Sequence, residues 1–569
     1  MQKILRVQTD SKRIIIEDTK DDYKLLGGRG LIAKILSDEV DPKCDALGAE
    51  NKLIICGGLL NGTLAPNSGR LSVGGKSPLT GGIKEANSGG TAAQMLSKLG
   101  LKAIVLENKP NDSNWFILKV DKSKAELLPA DQYVNLNNYD LVAQLKDKFG
   151  KKVSIISIGG AGTRGLKNST LQITDMQGNP SRAAARGGLG SVMGSKGIKA
   201  IVLDATGPSI EQSLDKERFS LAAKNFIAGI KAHPVSGHVF PALGTAGLVN
   251  LLNSLGGLPT HNFSDGRWDK AGNICGEKLV EIQSTRGGKT GHICMPGCVV
   301  ACSNIYNDIQ GTYVTSGFEY ETIALNGSNC GIDSLDTIAT IDRLCDDFGI
   351  DTIETGGTIG VCMEAGQIEF GDGAGAIKLI QEMIEGTNFG NIIGQGTEFA
   401  ARHLGVERIP TIKSQTIAGY DPRALKGTGV TYATSPMGAD HTCGNTLGDP
   451  SVDPYKKDGQ IELSTTMQVA MATCDCLGLC MMAFVCTADP TNVGYLCEMM
   501  AGKFGGEWDA NKLFGIGIQN LSLELEFNKR AGFTSADNKF PDFMYIETLP
   551  STGSIIDFTE DDLSKAIPF

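Results

Sequence analysis

The sequence predicts an α+β protein: a β-rich base domain, residues 1–205, followed by two mainly helical domains, 206–415 and 416–569. Three observations carry this. The chain has 569 residues, more than a single hydrophobic core organises, so about three to four domains are expected. Its first third holds short apolar runs separated by glycine-rich turns, a strand pattern. The remainder holds segments such as LDTIATIDRLC (335–345) and STTMQVAMATC (464–474), whose apolar residues recur at helical spacing.

The base contains a repeat. GGTAAQMLSKLGLKAIVLE (89–107) and GGLGSVMGSKGIKAIVLD (187–204) both read as a glycine turn, a short helix and a buried strand. Each copy follows a polar, glycine-containing approach, 67–90 and 159–188. Such segments expose backbone N–H groups beside arginines, which suits an anionic ligand such as phosphate. The plainer reading is a set of hairpin turns in which glycine supplies positive φ. A G-x-G-x-x-G fingerprint in its strand–helix setting is absent, so a nicotinamide dinucleotide is not supported.

A second repeat lies in the helical part. DDFGID (346–351) and DCLGLC (475–480) each follow a helical segment. The glycine reads as a helix C-cap, which puts the aspartate in the last turn. An acid there opposes the helix dipole, so another interaction must favour it. Two pairs of matching elements point to a ligand with two equivalent parts, enclosed between the base and the helical domains.

The stretch CMPGCVVACSN (294–304) places Cys294, Cys298 and Cys302 four residues apart. In the second motif Cys480 stands where the first has Asp351, which makes it the candidate fourth thiolate. Four thiolates fit an iron–sulfur cluster or zinc, and a buried stripe of structural thiols is the third reading. Three clustered ligands with a distant fourth favour a [4Fe–4S] cluster. Cys330, Cys345, Cys362, Cys443, Cys474, Cys476, Cys486 and Cys497 read as core thiols, with Cys476 the least settled.

Net charge is −11, which disfavours nucleic acid and anionic membrane as partners. No apolar run approaches the ~18 residues of a membrane span, and the N-terminal residues read as a strand rather than a signal peptide. A cytoplasmic location is expected, where the 15 cysteines stay reduced.

GGRGL (27–31), GRLSVGGKSP (69–78), RAAARGGLG (182–190), the cysteine triad, EYET (319–322), DDFGID, ADHT (439–442) and DCLGLC together resemble the aldehyde:ferredoxin oxidoreductase family, in order and over nearly the whole chain. The resemblance implies a tungsten or molybdenum bis-pyranopterin, a [4Fe–4S] cluster and a Mg2+ ion bridging the pterin phosphates. It implies cofactor contacts from Arg70, Asn87 and Gly89, from Arg182, Ala183, Ala185 and Arg186, from Asp346, Ile350 and Asp351, and from Asp475 and Leu479. Cys294, Cys298, Cys302 and Cys480 would ligate the cluster. Ala185 stands where the pattern has glycine. The spacing from Cys294 to Cys298 is one residue longer than the family's, and Met437 replaces a basic residue found in some relatives. Glu321 and His441 take the catalytic positions, with Glu319 in competition. If EYET is a strand, the two glutamates share a face.

The implied activity is oxidation of an aldehyde to a carboxylate, with electrons passing through the cluster to ferredoxin or a ferredoxin-like subunit. The alternatives are a related subunit that reduces a carboxylate or aromatic thioester at low potential, and a non-catalytic iron–sulfur electron-transfer subunit. Homo- or hetero-oligomerisation is left open. The segment 235–263, with His238 and His261, is expected to line the access channel.

Overall fold

The computed structural model describes residues 2–209 and 213–567. The first unit comprises β1 (Lys3–Gln8), β2 (Arg13–Asp18), α1 (Gly28–Glu39), β3 (Leu53–Gly57), β4 (Leu71–Lys76), β5 (Ile83–Ser88), α2 (Ala92–Lys98) and β6 (Leu101–Glu107). The second comprises β7 (Phe116–Asp121), β8 (Ala125–Pro129), α3 (Asn138–Phe149), β9 (Ser154–Ser157), the single turn α4 (Gly160–Thr163), β10 (Leu171–Ile173), β11 (Arg182–Ala184), α5 (Leu189–Ser195) and β12 (Ile198–Asp204).

The two six-stranded sheets have the same topology. One runs β2-β1-β6-β3-β4-β5, the other β8-β7-β12-β9-β10-β11. In each, one neighbouring pair is parallel, β1 with β6 and β7 with β12, and the other pairs are antiparallel. Both parallel pairs carry a register irregularity at the same place, before Ala103 and before Ala200. The repeat legible in the sequence is thus the end of a duplication that covers the whole base.

Strand periodicity explains the layering. Side chains alternate between faces, so Leu5, Leu53, Ile55 and Ile104 join Ile156, Leu171 and Ile201 in one core between the sheets. Ile4, Ile54 and Val105 face outward onto Leu31, Ile35 and Leu36 of α1. Ile117, Ile155 and Val202 face Leu141, Val142 and Leu145 of α3.

From Lys216 onward the chain is mainly helical, interrupted by a small antiparallel sheet of β13 (Lys289–His292), β14 (Ser303–Asn307) and β15 (Tyr313–Ser316). The cysteine triad lies on the loop between β13 and β14. The largest core draws on Phe318, Ile338, Ile417, Tyr432, Phe540 and Phe558, from both sides of residue 415. Among the described residues no single helix is long and apolar enough to cross a membrane; the segments Val235–Leu243 and Thr245–Leu255 reach that length only as a pair bent by 95°.

Each half of the base holds one of the repeated motifs through backbone hydrogen bonds. In the first unit, Leu59 and Leu60 N–H donate to the Cys476 and Leu477 carbonyls at 3.0 and 2.9 Å, and Arg70 N–H donates to Gly478 O at 3.2 Å. In the second, Thr170 N–H donates to Gly349 O at 2.9 Å. Cys480 N–H returns a bond to Asn67 O, and Asp351 N–H to Asn168 O, both at 2.9 Å.

Candidate active site

Asp346 ends the helix Leu335–Phe348, closed by Gly349 at φ 81°, and Asp475 ends the helix Gln460–Leu477, closed by Gly478 at φ 75°. The left-handed cap is a conformation glycine adopts without strain, and it turns the chain sharply after each aspartate. Asp351 and Cys480 then occupy matching N-cap positions, with φ/ψ of −70°/123° and −80°/130°. The Asp351 carboxylate accepts from Ile353 N–H at 3.0 Å, an ordinary N-cap. Cys480 is the less usual cap, and its thiol faces the other three cysteines.

Both aspartates open on a cavity of about 310 Å3 between the base and the helical body. Every predicted site residue except Cys298 lines it: Arg70, Asn87, Gly89, Arg182, Ala183, Ala185, Arg186, Glu321, Asp346, Ile350, Asp351, His441, Asp475, Leu479, Cys294, Cys302 and Cys480. Cys298 lies just behind. Its sulfur accepts from Ala301 N–H at 3.3 Å and Asn67 Nδ2 at 3.5 Å, and it is within hydrogen-bonding reach of Cys294. Cys480 interacts electrostatically with Cys294, Cys298 and Cys302. Among the described residues, no three His, Cys, Asp or Glu side chains converge closely enough to hold one metal ion. Cys476 points elsewhere, toward Gly30 and Arg29.

The two glycine-containing approaches, 67–90 and 159–188, form a first and a second cradle on the cavity wall, and the two arginines of the second differ. Arg186 is occupied by protein: its guanidinium donates to Ala439 O, Thr416 O and, at 3.4 Å, Asp351. Arg182 is buried, yet its Nε and Nη2 have no partner, and its nearest carboxylate oxygen, on Glu319, is 3.9 Å away. A buried donor left unpaired is costly, so this guanidinium is the strongest local sign of an anionic ligand. In the first cradle Arg70 donates to the Asn87 side chain and, at 3.1 Å, to its carbonyl.

EYET is a helix start, not a strand, which corrects the expectation that its glutamates share a face. Glu319 is the N-cap residue and Glu321 sits in the first turn of Tyr320–Asn326. Both reach the cavity, with different partners. Glu319 accepts from Thr245 Oγ1 at 2.6 Å. Glu321 accepts from Gly419 N–H at 2.7 Å and approaches His441 Nε2 at 3.4 Å. Burial pushes the Glu321 carboxyl above its ordinary range, against the pull of His441 and the Gly419 N–H. Glu321 Oε1 and His441 Nδ1 are left without hydrogen-bond partners. Tyr420 packs on His441 with ring centroids 5.7 Å apart.

Of the segment 235–263, only Thr245 and Leu248 are among the lining residues; His238 and His261 are not. His261 instead packs on Phe370, 5.0 Å between centroids. Sequence reasoning also missed several residues that organise the site. Asn67, at φ 55°, clasps the triad loop through Val299 N–H at 2.9 Å as well as Cys480. Lys84 forms a buried pair with Asp440 at 2.7 Å, beside His441. Arg29 holds Glu524 by two 2.8 Å bonds and reaches Asp475 at 3.3 Å. Their motifs were legible, but not which member of GGRGL or IKEAN would turn inward.

Enclosure, an unpaired buried guanidinium, an acid–imidazole pair and thiols gathered on one wall describe the active site of an enzyme. Comparison with known proteins narrows this: the model of the aldehyde ferredoxin oxidoreductase N-terminal domain matches residues 4–205, and that of domains 2 and 3 matches 221–568. The chain belongs to the aldehyde ferredoxin oxidoreductase family. It is 33% identical to a tungsten-containing aldehyde ferredoxin oxidoreductase of Thermococcus kodakarensis, over 96% of this chain and 92% of the relative. It is 26% identical to the WOR-like subunit of a Pyrococcus furiosus aliphatic sulfonate oxidoreductase, over 77% and 74%. Its fold resembles the active-site complex BamBC of benzoyl coenzyme A reductase, with a TM-score of 0.80 at 20% identity, covering 95% of this chain and 90% of that one.

Proposed function

We propose that the chain oxidises an aldehyde to a carboxylate beside Glu321 and His441, and passes electrons by way of the thiol wall to ferredoxin or a similar carrier. The observation that carries this is the Glu321–His441 pair, 3.4 Å apart, in the same cavity as both helix-end aspartates and the cysteines. The residues present fit a tungsten or molybdenum bis-pyranopterin. Arg182, with Ala183 and Ala185, and Arg70, with Asn87 and Gly89, would hold the two phosphate ends and the Mg2+ between them. Asp346 with Ile350 and Asp351, and Asp475 with Leu479, would hold the two ring systems. Cys294, Cys298, Cys302 and Cys480, three clustered in sequence and one distant, suit a [4Fe–4S] cluster better than one zinc ion.

When bound, the metal centre supplies the two-electron redox chemistry. The chain's own contribution is proton handling and positioning. Glu321, its carboxyl raised by burial, is placed to take a proton from water or a hydrated aldehyde. His441 Nε2 faces the same space and can donate a hydrogen bond to the substrate oxygen. Tyr320 and Tyr420 wall that end against bulk water, which strengthens both interactions.

The test is anaerobic purification followed by metal analysis and a viologen-linked screen of aldehydes. Viologen reduction that depends on both an aldehyde and a full complement of tungsten or molybdenum supports the reading. Fully metallated protein with which none of the aldehydes reduces viologen refutes it.

A further inference from the structure

Besides Glu319, Glu321 and Asp440, the cavity contains two carboxyls that neither repeated motif supplies. Glu85 comes from β5 and Asp342 from the helix Leu335–Phe348; both line the cavity, at 7% and 4% exposure. Each stands beside one motif aspartate. Asp342 is four residues before Asp346, one helical turn away on the same face. It accepts from Thr315 Oγ1 at 2.6 Å, while Asp346 accepts from Gln172 Nε2 at 3.2 Å. Glu85 faces Asp475 and is approached by Asn87 Nδ2 at 3.5 Å.

Duplication does not explain this pairing. Aligning the sheets on Ala103 and Ala200 makes Cys56 equivalent to Ser157, and through β4 and β10 makes Ser72 equivalent to Gln172. Ser72 pairs with Asn87 and Gln172 with Ala183, so those two cradle residues correspond. Two positions earlier, Glu85 corresponds to Ser181. Four residues before Asp475, the counterpart of Asp342 is Met471. Each end of the cavity therefore obtains its second carboxyl from a different element. Common descent would put the acids at matching positions; a common ligand chemistry asks only that both reach the ligand. Arg182, which lines the same cavity, has buried, unpartnered Nε and Nη2, and Gln172 Oε1, buried beside Asp346, is unpartnered as well.

We propose that Glu85 and Asp342 are ligand-binding residues, each completing with its motif aspartate a carboxyl pair that takes the N–H-bearing edge of one half of a two-part aminopyrimidinone cofactor. This rests on the cofactor reading above and adds residues to it. An aminopyrimidinone presents a ring N–H beside an exocyclic amine, a spacing that matches the two oxygens of one carboxylate, and next to these an acceptor that needs a donor. Two buried carboxyls side by side share a proton, so a pair offers both an ionised acceptor and an O–H donor. Burial pushes Asp342 up to about 7, with Glu319 adding to the rise and Thr315, Arg182 and Thr322 opposing it.

The holoprotein tests this. Anaerobically purified wild type, Glu85→Gln, Asp342→Asn and Asp342→Glu are dialysed in urea below the unfolding transition. Retained pterin is read by fluorescence after oxidation, with iron content and melting temperature measured on the same samples. Each amide variant should lose pterin at least about tenfold faster than wild type, the loss expected for one charge-assisted hydrogen bond, with iron unchanged; Asp342→Glu should restore retention. Pterin retention at the wild-type rate in both amide variants, or pterin and iron lost together with a lowered melting temperature, overturns the proposal. Wild-type protein that holds iron but no pterin overturns the cofactor reading, and this inference with it.

Discussion

Glu319 and Glu321 sit two residues apart and meet different surroundings because one caps a helix and the other lies in its first turn. Glu321 alone contacts His441. Its raised carboxyl stays protonated to higher pH than an exposed glutamate, so the rate should rise with pH through an apparent pKa above the ordinary 4.5. Glu321→Gln should remove that limb and lower kcat by ~10^2–10^4-fold, the usual worth of a positioned acid–base group, with metal content intact. Glu319→Gln should keep the limb; a steady-state pH profile of both variants checks this. Behind His441, the Lys84–Asp440 pair is buried on both sides. Burial alone would raise Asp440, but Lys84, Arg186 and His441 outweigh it and hold the carboxyl far below its usual range. Lys84→Met leaves a buried carboxylate without its cation and should cost about 3–5 kcal/mol in urea unfolding of the apoprotein.

Two glycines show how the elements dock. Gly58 follows β3 and Gly159 follows β9, at equivalent places in the duplicated sheets. A Cβ on Gly58 would lie 2.0 Å from Gly478 N, and one on Gly159 2.2 Å from Phe348 O. Gly58→Ala should therefore loosen residues 475–480, and Gly159→Ala residues 346–351, each at about 1–3 kcal/mol of overpacking strain. Hydrogen exchange of the two motifs reads the effects separately, and equal loosening of both motifs by either change would contradict the docking scheme. The motifs themselves were legible in the sequence because a glycine C-cap after an apolar helical stripe is a strong local signal. The helix start at EYET was not, since Glu319 caps without a Ser, Thr, Asp or Asn to announce it. The full duplication was visible only in KAIVL and its flanks. Elsewhere the equivalent residues face different neighbours and have diverged: α1 begins Gly28-Arg29 where α3 begins Asn138-Tyr139, because the former packs on Asp475 and Glu524 and the latter beside Asp346 and Tyr313.

At the scale of the molecule, a duplicated base holds two helix-end motifs on either side of one cavity, and Asn67 ties the cysteine loop to Cys480 across it. Composition and pattern sufficed for the α+β class and for a base followed by a helical body. They did not reveal the inward-facing partners, such as Glu85 and Asp342, whose roles depend on contacts far apart in sequence. Cys480→Ser should lower iron content while leaving tungsten or molybdenum bound, since the thiol wall and the aspartate ends are separate parts of the cavity; loss of both metals together would show that they are not. On this reading the two motifs embrace a single metal-bearing ligand. Anomalous scattering at the tungsten and molybdenum edges, from crystals of anaerobically purified protein, tests it most directly. One heavy-metal peak is expected inside the cavity, between Asp346 and Asp475 and within reach of Glu321 and His441; a peak outside the cavity, or none in protein that carries its iron, would show that the motifs hold no such ligand.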